Sequence, residues 1–381
     1  MADTNRTKLA FIAEEDFATA VSGSNLQTLR ITGESLAQSA GSTQSGEIRS
    51  DRQVSSIRHS RIEAAGAINF ELSYGTYDAL LAAALLDSAW GAPVAVATAA
   101  TVSAVVSGNK FTGTFAAPTA GEWIKVSGFA TAANNGYFKV VTASTSEITV
   151  SGGTLVNEAD KAGVTIVQGG SIVNGTSLST FNIERTYEDL DEELALFLGM
   201  GINTLSLNVP TEGMVTGSLG FMGSKETSRT ASAGSGYDAA STTEPFTALD
   251  VSDLLENQAS QSILAFTLNL NNNLRTRVVV GASGVASLGS GRVDLSGTLQ
   301  VYFESKTLFD KYLNETASAL AMVLADAAGN AMIFDLPQVK YTSGQRVATG
   351  PNGDVVADLG WGAYMDPTEN VTFRIAKFPI A

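Results

Sequence analysis

The chain lacks cysteine entirely and has a single histidine among its 381 residues. The missing thiols exclude disulfides, thiol catalysis and cysteine-ligated metals together, and they favour synthesis in the cytosol over secretion. His59 would have to serve any Ser-His-Asp triad, yet no Gly-x-Ser-x-Gly elbow occurs in the sequence. One imidazole also supplies too few nitrogen ligands for a zinc site. We therefore expect no enzyme, and a histidine that lies at a surface or in an interface.

Charge is also scarce, particularly positive charge. Charged residues make up 16% of the chain, below the ~25% typical of soluble proteins. Lys and Arg number 23 against 38 Asp and Glu, which gives a net charge of −15. Binding to nucleic acid requires clustered basic residues, so this balance argues against a DNA-reading protein. It is compatible with a pore wall that DNA slides past, and with subunits that pack against copies of themselves.

Long apolar runs and cofactor motifs are missing as well. The polar start of the chain has no signal-peptide pattern, and the apolar stretch 80–90 is interrupted by Asp87 and is too short to span a membrane. No glycine cluster matches a phosphate-binding loop. The acidic run 188–193 lacks the spacing of a calcium loop. We expect no membrane span, no cofactor and no metal.

Short segments rich in Val, Ile, Leu, Phe and Thr, separated by Gly, Asn and Ser, predict a mainly β protein. The predicted strands are 27–31, 67–74, 179–185, 204–209, 263–270, 275–280, 293–303 and 371–377. Two helices are predicted from apolar residues at helical spacing: 77–89, and 188–198 with Gly199 as its C-terminal stop. The polar segment 33–62 is predicted to be an extended loop, and 224–245 a linker.

The segment 91–170 is interpreted as a separate inserted β domain. It is dominated by Ala, Val, Thr, Ser and Gly. Its predicted strands are 101–106, 123–126, 138–142, 147–150 and 164–167. Asn134-Asn135-Gly136 is predicted to form a tight turn between two of them.

An internal repeat surrounds this insert. Gly66-Ala-Ile-Asn-Phe-Glu-Leu72 and the following Tyr77-Asp78 recur as Gly297-Thr-Leu-Gln-Val-Tyr-Phe303 and Phe309-Asp310. Downstream, 205–210 echoes 332–337, and 214–223 weakly echoes 355–364. The repeat predicts two tandem β-sandwich modules, each with at most a short flanking helix: residues 1–90 with 171–223, and residues 224–381.

The first module, and more loosely the second, resembles the phage tail tube protein family, particularly that of long-tailed (siphovirus-type) bacteriophages. The likeness is carried by Phe11-Ile-Ala-Glu-Glu15, by 26–36, by Ser45-Gly-Glu47-Ile-Arg-Ser-Asp51-Arg52 and by the segments that begin at Gly66 and Tyr77. Members of that family close side by side into rings, which stack into a hollow tube that conducts DNA. The resemblance thus implies a virion structural protein, made in the bacterial cytoplasm, with the inserted domain on the tube exterior.

The resemblance also implies partners. Single-module members form sixfold rings, so a duplicated chain favours trimeric, pseudo-hexameric rings, with true hexamers as the alternative. A tape measure protein would occupy the lumen, and tail terminator and distal tail proteins would cover the ends. DNA would pass without specific binding, through a lumen that the acidic excess predicts to be negative. The rival hypotheses are a baseplate hub protein, a capsid decoration protein, and a bacterial surface-layer or adhesin protein.

Candidate contacts between rings lie in one short polar segment, where arginines alternate with acids. They are Arg49, Asp51, Arg52, Arg58 and Arg61. Ion pairing with an acidic neighbouring ring is one interpretation, and a solvated loop is the other. A DNA contact is disfavoured because no aromatic residues are interleaved.

Overall fold

A computed structural model describes residues 3–190, 193–304, 306–348 and 353–379 of the chain. Strand accounts for 54% and helix for 6% of the fold, which confirms the mainly β prediction. The strands form one large mixed assembly of paired strands, a closed six-stranded barrel and a small two-stranded ribbon.

The first half of the chain supplies strands on both sides of the barrel segment. Before it come β1 Thr7–Ala13, β2 Asn25–Thr28, β3 Gly33–Glu34, β4 Ala37–Gln44, β5 Ile57–Glu71 and helix α1 Asp78–Ala84. The barrel consists of β6 Val94–Val105, β7 Lys110–Thr112, β8 Trp123–Ser127, β9 Gly136–Ala143, β10 Glu147–Ser151 and β11 Glu158–Gln168. After it come β12 Gly170–Val173, β13 Thr180–Tyr187, β14 Leu194–Val209, β15 Thr216–Gly223, β16 Lys225–Arg229 and β17 Gly236–Asp238.

The second half begins with β18 and contains the second helix. Its elements are β18 Val251–Glu256, β19 Ala259–Ser260, β20 Ile263–Asn271, β21 Arg275–Arg277, β22 Ser287–Gly289, β23 Asp294–Tyr302, α2 Thr307–Leu313, β24 Ser318–Ala325, β25 Ala331–Ala348, β26 Val355–Ala363 and β27 Arg374–Phe378. Single turns of 3-10 helix occupy Thr4–Arg6, Ala132–Asn134 and Ala248–Asp250.

The two halves share one order of strand pairing. In the first half neighbours run β1–β13–β14–β15–β5–β4, and in the second they run β18–β24–β25–β26–β23–β20. Both halves also interrupt the register at the same two places. The interruption between β13 and β14 matches the one between β24 and β25, and the interruption between β14 and β15 matches the one between β25 and β26. Bulges are specific features of a fold rather than generic β pattern, so these coincidences indicate a duplicated unit.

Matched registers fix which residues of the two halves are equivalent. Gly66 lies opposite Phe221, and Gly297 lies opposite Trp361, as the predicted Gly66–Gly297 match requires. A side chain has no room at either glycine: a Cβ on Gly297 would lie 1.9 Å from the Thr267 carbonyl oxygen, and one on Gly66 would lie 2.4 Å from that of Ser35. The close approach of the neighbouring strand therefore explains why both repeats begin with glycine.

The predicted match of 205–210 with 332–337 is wrong. Thr204 follows the bulge in β14 and faces Gly220, and its counterpart Ser343 follows the bulge in β25 and faces Gly360. Leu205 is therefore equivalent to Gly344. Segment 332–336 lies instead in the part of β25 that pairs with β24. Apolar alternation is common to many strands of the chain, so this match carried no register information.

The predicted helix 188–198 is also wrong. Leu194 begins the long strand β14, whereas Asp191 and Glu192 lie outside the described residues. Residues 195–202 are buried on both faces of the sheet, and such a continuous apolar run matches a helical period as well as a strand. Gly199, predicted as a helix stop, has a φ of +70° within β14, where a Cβ would lie 2.9 Å from the Phe17 ring. The other predicted helix is confirmed in shortened form as α1.

Three further expectations need correction. The segment 33–62 is a β-hairpin of β4 and the start of β5, whose exposure on both faces leaves no apolar alternation to detect. The predicted linker 224–245 contains β16 and β17, paired with β14 and β2. The connection from β8 to β9 is longer than a tight turn: it passes through the 3-10 turn Ala132–Asn134, and Asn134 is buried.

One large core fills both sandwiches, and the barrel has a core of its own. A third apolar cluster joins the barrel to the second half, where Trp123 of β8 packs with Val323, Ile333 and Phe378. Strand β12, which leaves the barrel, pairs with β27. The barrel thus interrupts the first half in sequence but packs on the second half in space. The predicted boundaries 1–90 with 171–223, 91–170 and 224–381 stay a prediction.

Candidate assembly surfaces

The two halves are joined edge to edge in a continuous sheet. The second part of β14 pairs antiparallel with β20, from Thr204 opposite Asn271 to Val209 opposite Phe266. The strand order across this sheet is β4–β5–β15–β14–β20–β23–β26–β25. Each half contributes four strands, so the junction shows how one unit extends the sheet of the next.

One face of this sheet, here called the polar face, is covered by small uncharged side chains. The alternate positions point into the core, among them Leu205, Leu207, Leu268 and Leu299. The polar face consists of Ala67, Asn69, Glu71, Thr204, Ser206, Asn208, Thr216, Ser218, Gly220, Ala265, Thr267, Asn269, Asn271, Asp294, Ser296, Thr298, Gln300, Lys340, Ser343, Gln345, Asp358, Gly360 and Gly362. Among these residues the charges are Glu71, Asp294 and Asp358 against Lys340, and Glu63 farther along β5 on the same face pairs with Arg61, so the face is nearly neutral with a slight negative excess.

The sheet ends in two edges that no described residue pairs with through a strand ladder. At one end, 343–348 of β25 is paired with β26 on one side only. At the other end, 33–39 of β3 and β4 is paired with β5 on one side only. Unpaired edges of this length normally attract another strand, and proteins either cover them or use them.

The five predicted contact residues lie together on the hairpin of β4 and β5, residues 37–64, here called arm one. All five are exposed. Arg49 and Asp51 pair with each other through two bonds of 2.9 Å and 2.6 Å, and Arg61 pairs with Glu63. Arg52 has a φ of +58° near the tip of the hairpin. Arg58 belongs to β5 and lies opposite Thr43 of β4. Contact between rings through these residues stays a prediction.

A second hairpin, residues 275–289 with β21 and β22, occupies the equivalent place in the second half and is called arm two. It lies against the first half, where Leu288 approaches Gly201 and the Ser283 carbonyl oxygen accepts a bond from the Ile62 N–H. Arg61 of arm one donates to Thr276 of arm two at 3.2 Å. Neighbouring arms therefore contact each other within one chain.

A buried charge cluster, which the sequence did not predict, fixes the barrel to the second half. Arg374 of β27 donates to Asp335 at 3.0 Å and to Glu369 at 2.8 Å, and its Nε lies 3.3 Å from Glu122. Lys139 of β9 lies 3.0 Å from Asp335 and 2.8 Å from Glu369. Burial by itself lowers the pKa of Arg374, but the surrounding carboxylates raise it above its ordinary value. The guanidinium therefore stays charged.

Within the barrel, Glu158 ties down the connection between β8 and β9. Its carboxylate accepts the backbone N–H groups of Ala130 at 2.9 Å and Thr131 at 3.0 Å, and it also contacts Asn134. These bonds lower the pKa of Glu158 to about 2. Such a bond set orders a loop and is structural in character.

The open sheet edges and the two arms leave backbone and polar groups accessible to other chains. In the described part of the chain, no group of three or more His, Asp or Glu side chains is placed to hold a metal ion. A family model for phage tail tube proteins matches residues 4–363, nearly the whole chain. The chain belongs to the phage tail tube protein family. A search of curated proteins finds no match.

For a tail tube protein the open edges and the arms are the surfaces of interest, because the family is one of phage tail structural proteins. The predicted resemblance to phage tail tube proteins is thereby confirmed over residues 4–363, whereas its narrower assignment to long-tailed phages stays a prediction. Within residues 3–190, 193–304, 306–348 and 353–379, no helix of this tail tube protein is long and apolar enough to cross a membrane.

Proposed function

We propose that the chain closes side by side with its own copies into rings, and that the rings stack into the hollow tail tube through which DNA leaves the virion. The observation that carries this proposal is the β14–β20 junction, which extends one sheet across both halves while the equivalent edges at its two ends remain open. Closing a sheet on itself removes its edges, so a ring satisfies the unpaired groups without unlimited aggregation.

Three copies per ring follow from the duplication. Each chain supplies two equivalent units already joined in order, so three chains supply the six units of a sixfold ring of single-module relatives. True hexamers of this chain remain the alternative that a count of copies decides.

The polar face is proposed to line the lumen. Exposed protein surfaces are usually rich in Lys, Arg, Asp and Glu, whereas this broad face carries mostly Ser, Thr, Asn and Gly. Few cations are present to bind phosphates, and the small negative excess repels them weakly. The barrel packs on the opposite layer of the sandwich, through β27 and β12, so a lumenal polar face puts the barrel on the tube exterior.

The remaining partners are proposed from membership of the tail tube family. A tape measure protein would fill the lumen before DNA passes, and tail terminator and distal tail proteins would meet the end rings. Arm one is proposed to contact an adjacent ring through Arg52 and Arg58. Ejection requires no catalysis by this chain, only a smooth wall and stable rings.

Negative-stain electron microscopy of the purified protein tests the proposal. We expect hollow filaments of stacked rings. A baseplate hub or capsid decoration protein would form isolated rings or remain dispersed, and a surface-layer protein would form flat arrays. Any of these three outcomes would contradict a tail tube.

A further inference from the structure

The internal β14–β20 junction provides a template for the contact between chains. Its second strand, β20, lies against β23, with Asn271 opposite Asp294 and Phe266 opposite Leu299. In the first half the counterpart of β23 is β5. Ser39 lies opposite Glu63 of β5, and Glu34 lies opposite Ile68 of β5. The edge 34–39 therefore corresponds residue for residue to 266–271 of β20.

The first strand of the template has an equally well defined counterpart. Thr204 and Ser343 each follow the bulge of their strand and face the equivalent glycines Gly220 and Gly360. The open edge 343–348 of β25 thus corresponds to 204–209 of β14, the segment that pairs with β20.

From these correspondences we infer that 343–348 of one chain pairs antiparallel with 34–39 of a second copy, in one register. Ser343 lies opposite Ser39, Gln345 opposite Ala37, and Ala348 opposite Glu34. This inference rests on the proposed ring and specifies its lateral contact. A shift by one residue would reverse the faces of every side chain, so the register is a sharp claim.

The chemistry of the two edges fits this pairing. On the polar face the template joins Thr204 and Ser206 to Asn271 and Asn269. The contact between chains joins Ser343 and Gln345 to Ser39 and Ala37, again without charge. All four of these side chains are exposed in the single chain, so pairing meets no buried obstacle.

The backbone of the edge 34–39 is oriented to pair with 343–348 of a second copy. Ser35 donates its N–H to Ala67 on β5, so Leu36 directs its own polar groups outward. In the single chain these groups are held by side chains: the Leu36 N–H donates to Glu34 at 2.8 Å, and its carbonyl accepts from Arg185 at 2.5 Å. Ring closure exchanges these two bonds for backbone bonds to the neighbour's Arg346.

Engineered cysteines test the register, and the chain has no native cysteine to interfere. In the inferred register Gln345 and Ala37 form a pair without mutual backbone bonds, where Cα atoms lie about 4.5 Å apart. That spacing suits a disulfide. Within one chain the two residues lie at opposite ends of an eight-stranded sheet, seven strand spacings or roughly 34 Å apart, so any disulfide joins two chains.

We expect the double variant Gln345→Cys, Ala37→Cys to form disulfides between chains under mild oxidation, in a ladder that ends at the number of copies in a ring. The matched controls combine Gln345→Cys with Ser35→Cys or with Ser39→Cys, two residues off register on the same face. These controls should cross-link at least about tenfold more slowly, because their Cα atoms exceed the ~7 Å limit.

A second measurement needs no variant. Hydrogen exchange of the wild-type chain before and after assembly should show protection appearing at Gln38, Gly344 and Arg346. Rings that form while a control pair links faster, or while these amides stay unprotected, would overturn the register and leave the tail tube intact. Chains that form no ring would overturn both the register and the proposed function.

Discussion

The charge cluster beneath the barrel permits a quantitative test of what holds the barrel in place. Arg374 is 4% exposed and Asp335 is fully buried. The cluster contains two cations, Arg374 and Lys139, and three carboxylates, Asp335, Glu122 and Glu369. The substitution Arg374→Met keeps much of the side-chain volume but leaves the three carboxylates with one lysine.

Removing one partner of a buried ion pair costs about 3–5 kcal/mol, because the remaining charge is left without compensation in a low-dielectric site. Arg374 forms ion pairs with three carboxylates, so we expect its removal to cost a free energy in the upper part of this range. With a slope of roughly 3 kcal/mol per molar urea, the unfolding midpoint should fall by about 1 M or more.

Urea unfolding followed by tryptophan fluorescence measures this change, since Trp123 lies in the adjoining apolar cluster. Arg292→Met is the matched control, because Arg292 also pairs with an acid, Asp294, yet is 86% exposed. An exposed pair contributes about 0–1 kcal/mol, so the control should barely move the midpoint. Equal midpoints for the two variants would refute the assignment of barrel docking to the buried cluster.

Three further expectations concern the barrel, the strand contacts and arm one. The pKa of Glu158 is depressed to about 2, so its stabilising contribution is full above its ordinary value of 4.5 and is lost as pH falls from there towards 2. Glu158→Gln should therefore flatten the acid limb of a circular dichroism pH titration, and an unchanged curve would count against the loop-anchoring role. Gly297→Ala should destabilise by about 1–3 kcal/mol through overpacking, whereas Gly46→Ala, with nothing within 4 Å, should be neutral in the same calorimetric scan. Loss of stability in both variants, or in neither, would contradict the strand-contact explanation. Arg52→Ala with Arg58→Ala should leave rings intact but shorten tubes in electron micrographs, and the difference from the wild type should shrink at high salt, which screens the same ion pairs. Tubes of normal length would exclude these arginines from stacking.

Much of the fold was readable from the sequence because local pattern and packing agree. Gly66 and Gly297 sit where a neighbouring strand leaves no room for a Cβ, so the first repeat was found in its correct register. The alternation around Leu299 and Ile68 marked strands with one buried face. Helix α1 was also found, although it ends before the predicted Ala89.

The failures have physical causes of three kinds. The first part of β14, residues 195–202, is buried on both faces, so its apolar run lost the period of two and resembled a helix. Arm one is exposed on both faces, so it carried no apolar signal at all. The cluster of Lys139, Asp335 and Arg374 joins residues far apart in sequence, and single charged residues among strands gave no reason to connect them.

The open edges of the sheet are the features from which ring formation was inferred, and no single-chain property measures them directly. Electron cryomicroscopy of the assembled particle, viewed along its axis, does so. We expect a threefold symmetric ring with six similar lobes around a hollow centre and three barrels on the outside. Chains joined by any contact other than the sheet edges would contradict lateral closure through 343–348 and 34–39. A ring of six chains would contradict only the count of three copies, and barrels inside the lumen would contradict only the proposed lumenal position of the polar face.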